Sequence, residues 1–286
     1  MIRVGPAGFA YRDWAGTVYP QPRPRGFDEL AYLARYFDTL EINSTFYRPA
    51  LDRTARRWAE RVAFNDDFRF TLKLWQRFTH ERESKWTAAE VAQAREAIAA
   101  LAGEQRLGAL LAQFPWSFKR DHDNRVWLDA LTREFADLPL VIEIRHDSWN
   151  TPEFFESLAE RGVGFVNIDQ PHHRHGIEPT ARATSRIGYV RVHGRNEENW
   201  FSETAGVNER YNYLYSTEEL EPWAARVRAI AERTDDAYVI TNNHFEGQAV
   251  ANAVMLSSML SGRKVAAPEP AISKYVDVLQ NYALPL

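Results

Sequence analysis

The stretch Leu140-Val141-Ile142-Glu143-Ile144-Arg145, followed by Thr151–Arg161 and then by Gly164-Phe165-Val166-Asn167-Ile168-Asp169, decides the fold. Both flanks are short apolar, β-prone runs that end in charged residues, and the segment between them carries apolar residues at helical spacing behind a threonine cap. A strand, a helix and a strand within about thirty residues make a parallel crossover unit. The same alternation extends outward in both directions. Upstream lie the runs Ile2–Gly8, Thr39–Phe46, Arg69–Trp75 and Gly108–Phe114; downstream lie Gly188–His193 and Ala237–Asn242, making eight in all. Helical stretches Phe27–Asp38, Leu51–Val62, Ala88–Ala102, Val126–Phe135, Thr217–Arg233 and Gly247–Leu260 fill the intervals, while the link Gln170–Arg186 carries at most a short helix.

Eight alternating strands predict closure into a single (β/α)8 TIM-like barrel over residues 1–286. That length suits a fold that typically needs about 250 residues. An open doubly wound sheet ranks second, since no glycine-rich dinucleotide or phosphate fingerprint follows any of the runs. With 45% hydrophobic residues the chain can bury a large core, and its net charge of −4 gives no global attraction to nucleic acid or acidic membranes. Any anion must therefore be held by a local cluster. The absence of cysteine excludes disulfides, thiolate metal sites and a cysteine nucleophile. Met1 leads straight into the strand-like Ile2-Arg3-Val4-Gly5, and no apolar stretch approaches the roughly 18 residues that span a bilayer. A cytoplasmic protein with no membrane partner is expected, and Asn43-Ser44-Thr45 reads as a chance sequon.

Strand side chains alternate faces, so residues two apart share one. On this basis the strand ends present Glu41 with Asn43, Lys73 with Trp75, Glu143 with Arg145, Asn167 with Asp169, and Arg191 with His193; the last run ends Thr241-Asn242-Asn243-His244. All lie at C-terminal strand ends, where barrel enzymes place their chemistry. Glu143, Arg145, Asp169, Arg191 and His193 are expected to form one arc across three neighbouring strands. A salt-bridge plug is the structural alternative, but buried ion pairs stabilise poorly against packed apolar residues, which favours function. Lys73 is expected to pair with Glu41; a Schiff-base role ranks below that, because nothing else specifies a carbonyl substrate. His172, His173 and His175 read as solvated loop residues.

Glu41, Glu143, Asp169, His193 and His244 are the right donor types for a divalent ion, yet Lys73, Arg145 and Arg191 stand among them and would compete for the carboxylates. No metal or other cofactor is therefore expected. An anion suits the cations better: Gly194 and Arg195 follow strand seven, and Asn242-Asn243-His244 leads to Gly247 at a helix start whose amides favour negative charge. Trp14, Phe46, Tyr47, Trp75, Phe114, Trp116, Trp149 and Trp200 end or follow strands and could stack on a planar ligand.

These residues resemble the YecE-like family, a domain of unknown function. The matching stretches are Val4-Gly5-Pro6-Ala7-Gly8-Phe9 with Trp14 and Tyr19-Pro20, then Glu41-Ile42-Asn43-Ser44-Thr45-Phe46-Tyr47, Phe70-Thr71-Leu72-Lys73 and Leu111-Ala112-Gln113-Phe114-Pro115. They continue through Glu143-Ile144-Arg145-His146 with Ser148-Trp149, Arg191-Val192-His193-Gly194-Arg195 and Asn242-Asn243-His244, in order along nearly the whole chain. The resemblance implies a TIM-like barrel and supplies no activity. Pro6, where a small residue is more usual, departs from the pattern at the end of strand one.

Together these readings predict an enzyme that acts on an anionic, phosphorylated or nucleotide-like small molecule by acid–base catalysis. Glu143, Glu41, His193 and Asp169 are the candidate acids and bases. Asn43, Lys73, Gln113, Arg145, Trp149, Arg191, Arg195, Asn242, Asn243 and His244 are the candidates for holding the ligand. The alternatives are a nucleic-acid-binding module using the same pocket, disfavoured by the acidic balance, and a divalent-metal-dependent barrel hydrolase or isomerase.

Overall fold

A computed structural model describes residues 1–200 and 206–286. Eight parallel strands form one sheet, each paired with its neighbours in sequence: β1 (Ile2–Pro6), β2 (Thr39–Ile42), β3 (Arg69–Lys73), β4 (Leu107–Gln113), β5 (Leu140–Glu143), β6 (Gly164–Asp169), β7 (Ile187–Val192) and β8 (Asp236–Thr241). β1 pairs with β8 over five residues. β1 and β2 then meet at an isolated bridge between Ala7 and Glu41, where the Gly8 N–H donates to the Glu41 carbonyl at 2.8 Å. The barrel expected from the eight runs is therefore present, joined at a sparse seam.

Pro6 is compatible with that seam. The Ala7 amide donates to Thr241 O across β8 and the Gly8 amide donates toward β2, so by alternation the missing N–H of Pro6 faces β2, where no ladder runs. Gly5 has a different reason to be where it is. A Cβ built on it would lie 1.9 Å from the Thr39 carbonyl oxygen, so only glycine lets β1 and β2 approach this closely.

Two apolar clusters divide the core. Ala7, Ala109, Leu111, Val141, Val166, Ile168, Tyr189, Tyr238 and Ile240 fill the barrel interior, and a larger cluster lies between the strands and the surrounding helices. Arg3, ion-paired with Asp236 and set over the Tyr238 ring, plugs the N-terminal end. Above this plug the barrel is packed mainly with apolar side chains, and the next charged interior residues appear near the C-terminal strand ends.

Several boundaries differ from those read in the sequence. The run Thr39–Phe46 stops pairing at Ile42, and the chain folds into the short helix Ser44–Tyr47. Thr45 Oγ1 donates to Lys73 O at 2.7 Å and to Ile42 O at 3.0 Å, tying that turn to the end of β3. The expected helix Phe27–Asp38 shortens to Glu29–Leu33, capped by the Asp28 carboxylate, and the link between β6 and β7 contains neither helix nor strand. The tail adds a two-stranded parallel pair, Val265–Ala266 with Ala283–Leu284.

Gly5→Ala should lower stability by about 1–3 kcal/mol, because the obstacle is backbone that cannot rotate away. Urea denaturation checks this, and a wild-type midpoint in the variant would show that the seam yields.

Candidate active site

Above the apolar layer, the interior column of side chains turns charged. Near the C-terminal strand ends Glu41 (β2), Lys73 (β3), Gln113 (β4), Glu143 (β5) and Arg191 (β7) occupy inward positions; Gln113 is in register with Glu143, whereas Glu41 is in register with Thr71 and Lys73 with Leu111. Arg191 lies at the centre and is 1% exposed. Its Nη2 donates to Glu41 Oε1 at 2.7 Å and its Nη1 to Glu143 Oε2 at 2.6 Å. Glu41 also accepts from the Tyr189 hydroxyl at 2.9 Å, which in turn bonds Thr71 at 2.8 Å.

Glu143 is the most heavily committed group. Beyond Arg191 it takes Arg145 Nε on Oε1 at 2.9 Å, and His193 Nε2 lies 3.2 Å from the same oxygen. Burial alone would raise its pKa, but Arg191, His193 and Arg145 outweigh it and hold the carboxyl well below the usual range. Burial pushes His193 the other way, down to about 3. The imidazole is therefore neutral at physiological pH. Its shorter contacts favour the tautomer with the proton on Nε2, which faces Glu143 and lies 3.5 Å from Arg145 Nη2, while Nδ1 accepts from Asn242 Nδ2 at 3.0 Å.

Over this network opens a cavity of about 460 Å³. Its cations are Lys73, Arg145, Arg191 and Arg210, and among the described residues no carboxylate lines it. Aromatic walls come from Phe9, Tyr11, Phe46, Tyr47, Tyr211 and His244, with Tyr11 stacked on His244 at 4.4 Å between centroids. Burial depresses His244 to about 4, so this ring too is neutral. Lining atoms Asn43 Oδ1, Arg191 Nε and His244 Nδ1 are buried with no hydrogen-bond partner. Such orphans are rare and costly in folded proteins.

Lys73 departs from expectation. It does not pair with Glu41, because Arg191 already occupies that carboxylate. Its Nζ sits 3.9 Å from the Phe46 ring centroid. Burial first, then the Arg191 charge, push its pKa down to about 7.

The structure brings Glu41, Asn43, Lys73, Arg145, Glu143, Arg191, His193, Asn242 and His244 together at the mouth. Gln113 is buried beside Glu143, with its amide donating to Phe114 O. Four other candidates lie elsewhere. Asp169 is not part of the arc: it is in register with Val192 rather than Arg191, so it faces the helices, where Arg195 grips it with two hydrogen bonds and the Tyr215 hydroxyl bonds it as well. Arg195 leaves the mouth for the same reason. Trp149 is buried against Phe118, donating to its carbonyl, and Asn243 is locked to Tyr213 O and Asn252.

The helix start after β8 is also unlike the expected anion site. The Glu246 amide donates to Asp13 Oδ2 at 2.7 Å, so a carboxylate of the chain itself already sits there. Of the loop histidines, His172 and His175 are exposed, while His173 packs edge-on to Trp116. Of the aromatics, Phe46 and Tyr47 reach the cavity, Trp14 and Phe114 are buried in the core, and the Trp200 side chain lies outside the described residues. Among the described residues no three His, Asp or Glu side chains converge as a metal would require. Tyr11, Arg210 and Tyr211 escaped the sequence reading because they lie on loops or, for Arg210, at the end of the short helix Val207–Arg210, but Tyr189, two residues before Arg191, was open to the alternation rule.

Comparison with known proteins places this architecture. The chain is 27% identical over 278 residues to the UPF0759 protein YunF of Bacillus subtilis, covering 91% of this chain and 95% of that protein. It is 29% identical over 181 residues to the UPF0759 protein YecE of Escherichia coli K12, covering 59% of each. A crystal structure of a DUF72 family protein from Thermotoga maritima superposes with a TM-score of 0.78 at 34% identity, covering 91% of this chain and 99% of that one. The family model described as protein of unknown function DUF72 matches residues 3–274, and the chain belongs to that family.

Proposed function

We propose that the barrel mouth is the active site of an enzyme that binds a small organic anion and moves protons on it. The observation that carries this reading is a cavity whose lining has four cations and no carboxylate among the described residues. The orphaned polar atoms support it, since a ligand would supply partners they lack. The aromatic walls suit a ring or sugar face on the same molecule.

Roles follow from the contacts. Arg145 lies at the surface of the network and would meet the anion directly. Arg191 is fixed by Glu41 and Glu143 and supplies positive potential from below. Glu143, with its oxygens engaged by Arg191, Arg145 and His193, holds these groups in place rather than taking up protons itself. Lys73 is the group poised for proton transfer, because an amine with a pKa near ambient pH can both accept and return a proton.

Sulfate should raise the melting temperature of the wild type, and Arg145→Ala should lose most of that shift. An equal response in the variant would move the anion elsewhere. The pH dependence has a definite sign. A bound anion favours the ammonium form of Lys73, so affinity is highest below the lysine's pKa and falls as pH rises through about 7. Loss of one charge-assisted contact should weaken sulfate about tenfold. Titration calorimetry across this range should show the decline in the wild type and a weaker, pH-independent affinity in Lys73→Met. Sulfate keeps its charge throughout, so the slope belongs to the protein. Glu143→Gln should destabilise the fold by about 3–5 kcal/mol even without ligand, because it places amide hydrogens against a buried guanidinium. Chemical denaturation of the two proteins reads this out; wild-type stability would remove Glu143 from the bracing role.

A further inference from the structure

Lys73 stands out among the lysines. The chain has thirty arginines and only five lysines. Lys85, Lys119, Lys264 and Lys274 are all exposed, whereas Lys73 is half-buried on an interior strand position facing the cavity. The other cations at the mouth are arginines, which hold anions well but cannot lose a proton at ordinary pH and so cannot act as nucleophiles. An amine placed here supplies what a guanidinium cannot.

Its surroundings keep that amine available. Among the described residues no carboxylate lies within ion-pair distance of Nζ. The two acids of the upper interior, Glu41 and Glu143, are instead drawn to Arg191. One side of the amine packs on the Phe46 ring, and its charge feels the cations Arg191 and Arg145, offset in part by Glu143 and Glu41, without cancelling the effect of burial. Apolar contact and neighbouring positive charge are the two conditions that generate a nucleophilic lysine.

We propose that the Lys73 amine forms an imine with the carbonyl carbon of an anionic aldehyde or ketone bound in this cavity. The inference rests on the reading of the mouth as an anion site and adds the substrate class. The nitrogen lone pair attacks the carbonyl carbon as the carbonyl π pair moves to oxygen. That oxygen takes a proton from the nitrogen, giving a carbinolamine. A second nitrogen proton then leaves with the hydroxyl as water, and the C=N bond forms. No oxidant or reductant enters. Protonated, the imine draws electrons from the adjacent carbon and acidifies its C–H bond, which suits isomerisation or carbon–carbon cleavage of carbonyl compounds carrying phosphate or carboxylate. The surrounding arginines hold the anion and disfavour an ammonium, so both parts of such a substrate are served.

The test exposes the intact protein to pyridoxal 5′-phosphate and, separately, to dihydroxyacetone phosphate, reduces with sodium borohydride and maps the modified lysines by peptide mass. The expected result is a reduced adduct on Lys73 before any of the four exposed lysines. Sulfate at about ten times its dissociation constant should slow that labelling about tenfold. Lys73→Arg should keep sulfate binding and lose the adduct, and the selectivity seen in the wild type stands even if this variant folds poorly. Labelling confined to the exposed lysines while sulfate still stabilises the wild type would overturn the imine and leave the anion site standing. Failure of both Lys73 labelling and sulfate stabilisation would remove the anion site and the imine together.

Discussion

Arg191 has almost no access to water, and the upper half of the barrel is organised around that fact. A buried guanidinium is tolerable only if its charge is met, and Glu41 and Glu143 meet it from opposite sides of the barrel. Those two carboxylates then need their own remaining oxygens satisfied, which recruits Tyr189, Arg145 and His193. His193 needs an acceptor role for its second nitrogen, which recruits Asn242 from β8. One desolvated charge thereby links β2, β5, β7 and β8 in a chain of obligatory partners. Lys73, on β3, is left outside it. Burial and the Arg191 charge then depress its pKa, which sets it apart from the other cations.

The same reasoning explains how the interior divides. Below this layer the barrel is filled with aliphatic and tyrosine side chains and closed at its base by Arg3, and that packing does not involve the charged layer. The charged layer is therefore not a requirement of closure. Its net effect is to present positive potential to a cavity walled by aromatic rings and the neutral His244 imidazole, while the compensating negative charge is kept underneath.

The barrel could be read from the sequence because each strand–helix unit has its own local signature, and closure of eight such units is a question of count. The site was legible where strands are short and end in charge, as at Glu41, Glu143, Arg145, Arg191 and His193. It failed at β6, where all six residues are buried and apolar and polar positions give no clue to which face is inner. There the parity slips by one, and Asp169 with its partner Arg195 belongs to the outer layer. Trp149 and Asn243 misled for a different reason. Past the last paired residue the two-residue alternation lapses, and the chain can turn a side chain into the helix layer at will. Tyr11 and Tyr211 enter the cavity from loops and Arg210 from the end of a single-turn helix, and segments this short have no periodicity to detect.

The seam between β1 and β2 has a consequence for how occupancy and shape are connected. Seven of the eight joints in the barrel are runs of paired backbone, and the eighth is little more than a clasp at Ala7, Gly8 and Glu41. The two chain segments that leave this clasp, Gly8–Tyr11 and Asn43–Tyr47, form facing walls of the cavity. A molecule touching both would act as a second fastener across the weakest joint. Its affinity would thus include the elastic cost or gain of drawing two staves together, and the exchange of the Gly8 amide with solvent becomes a gauge of whether the cavity is filled.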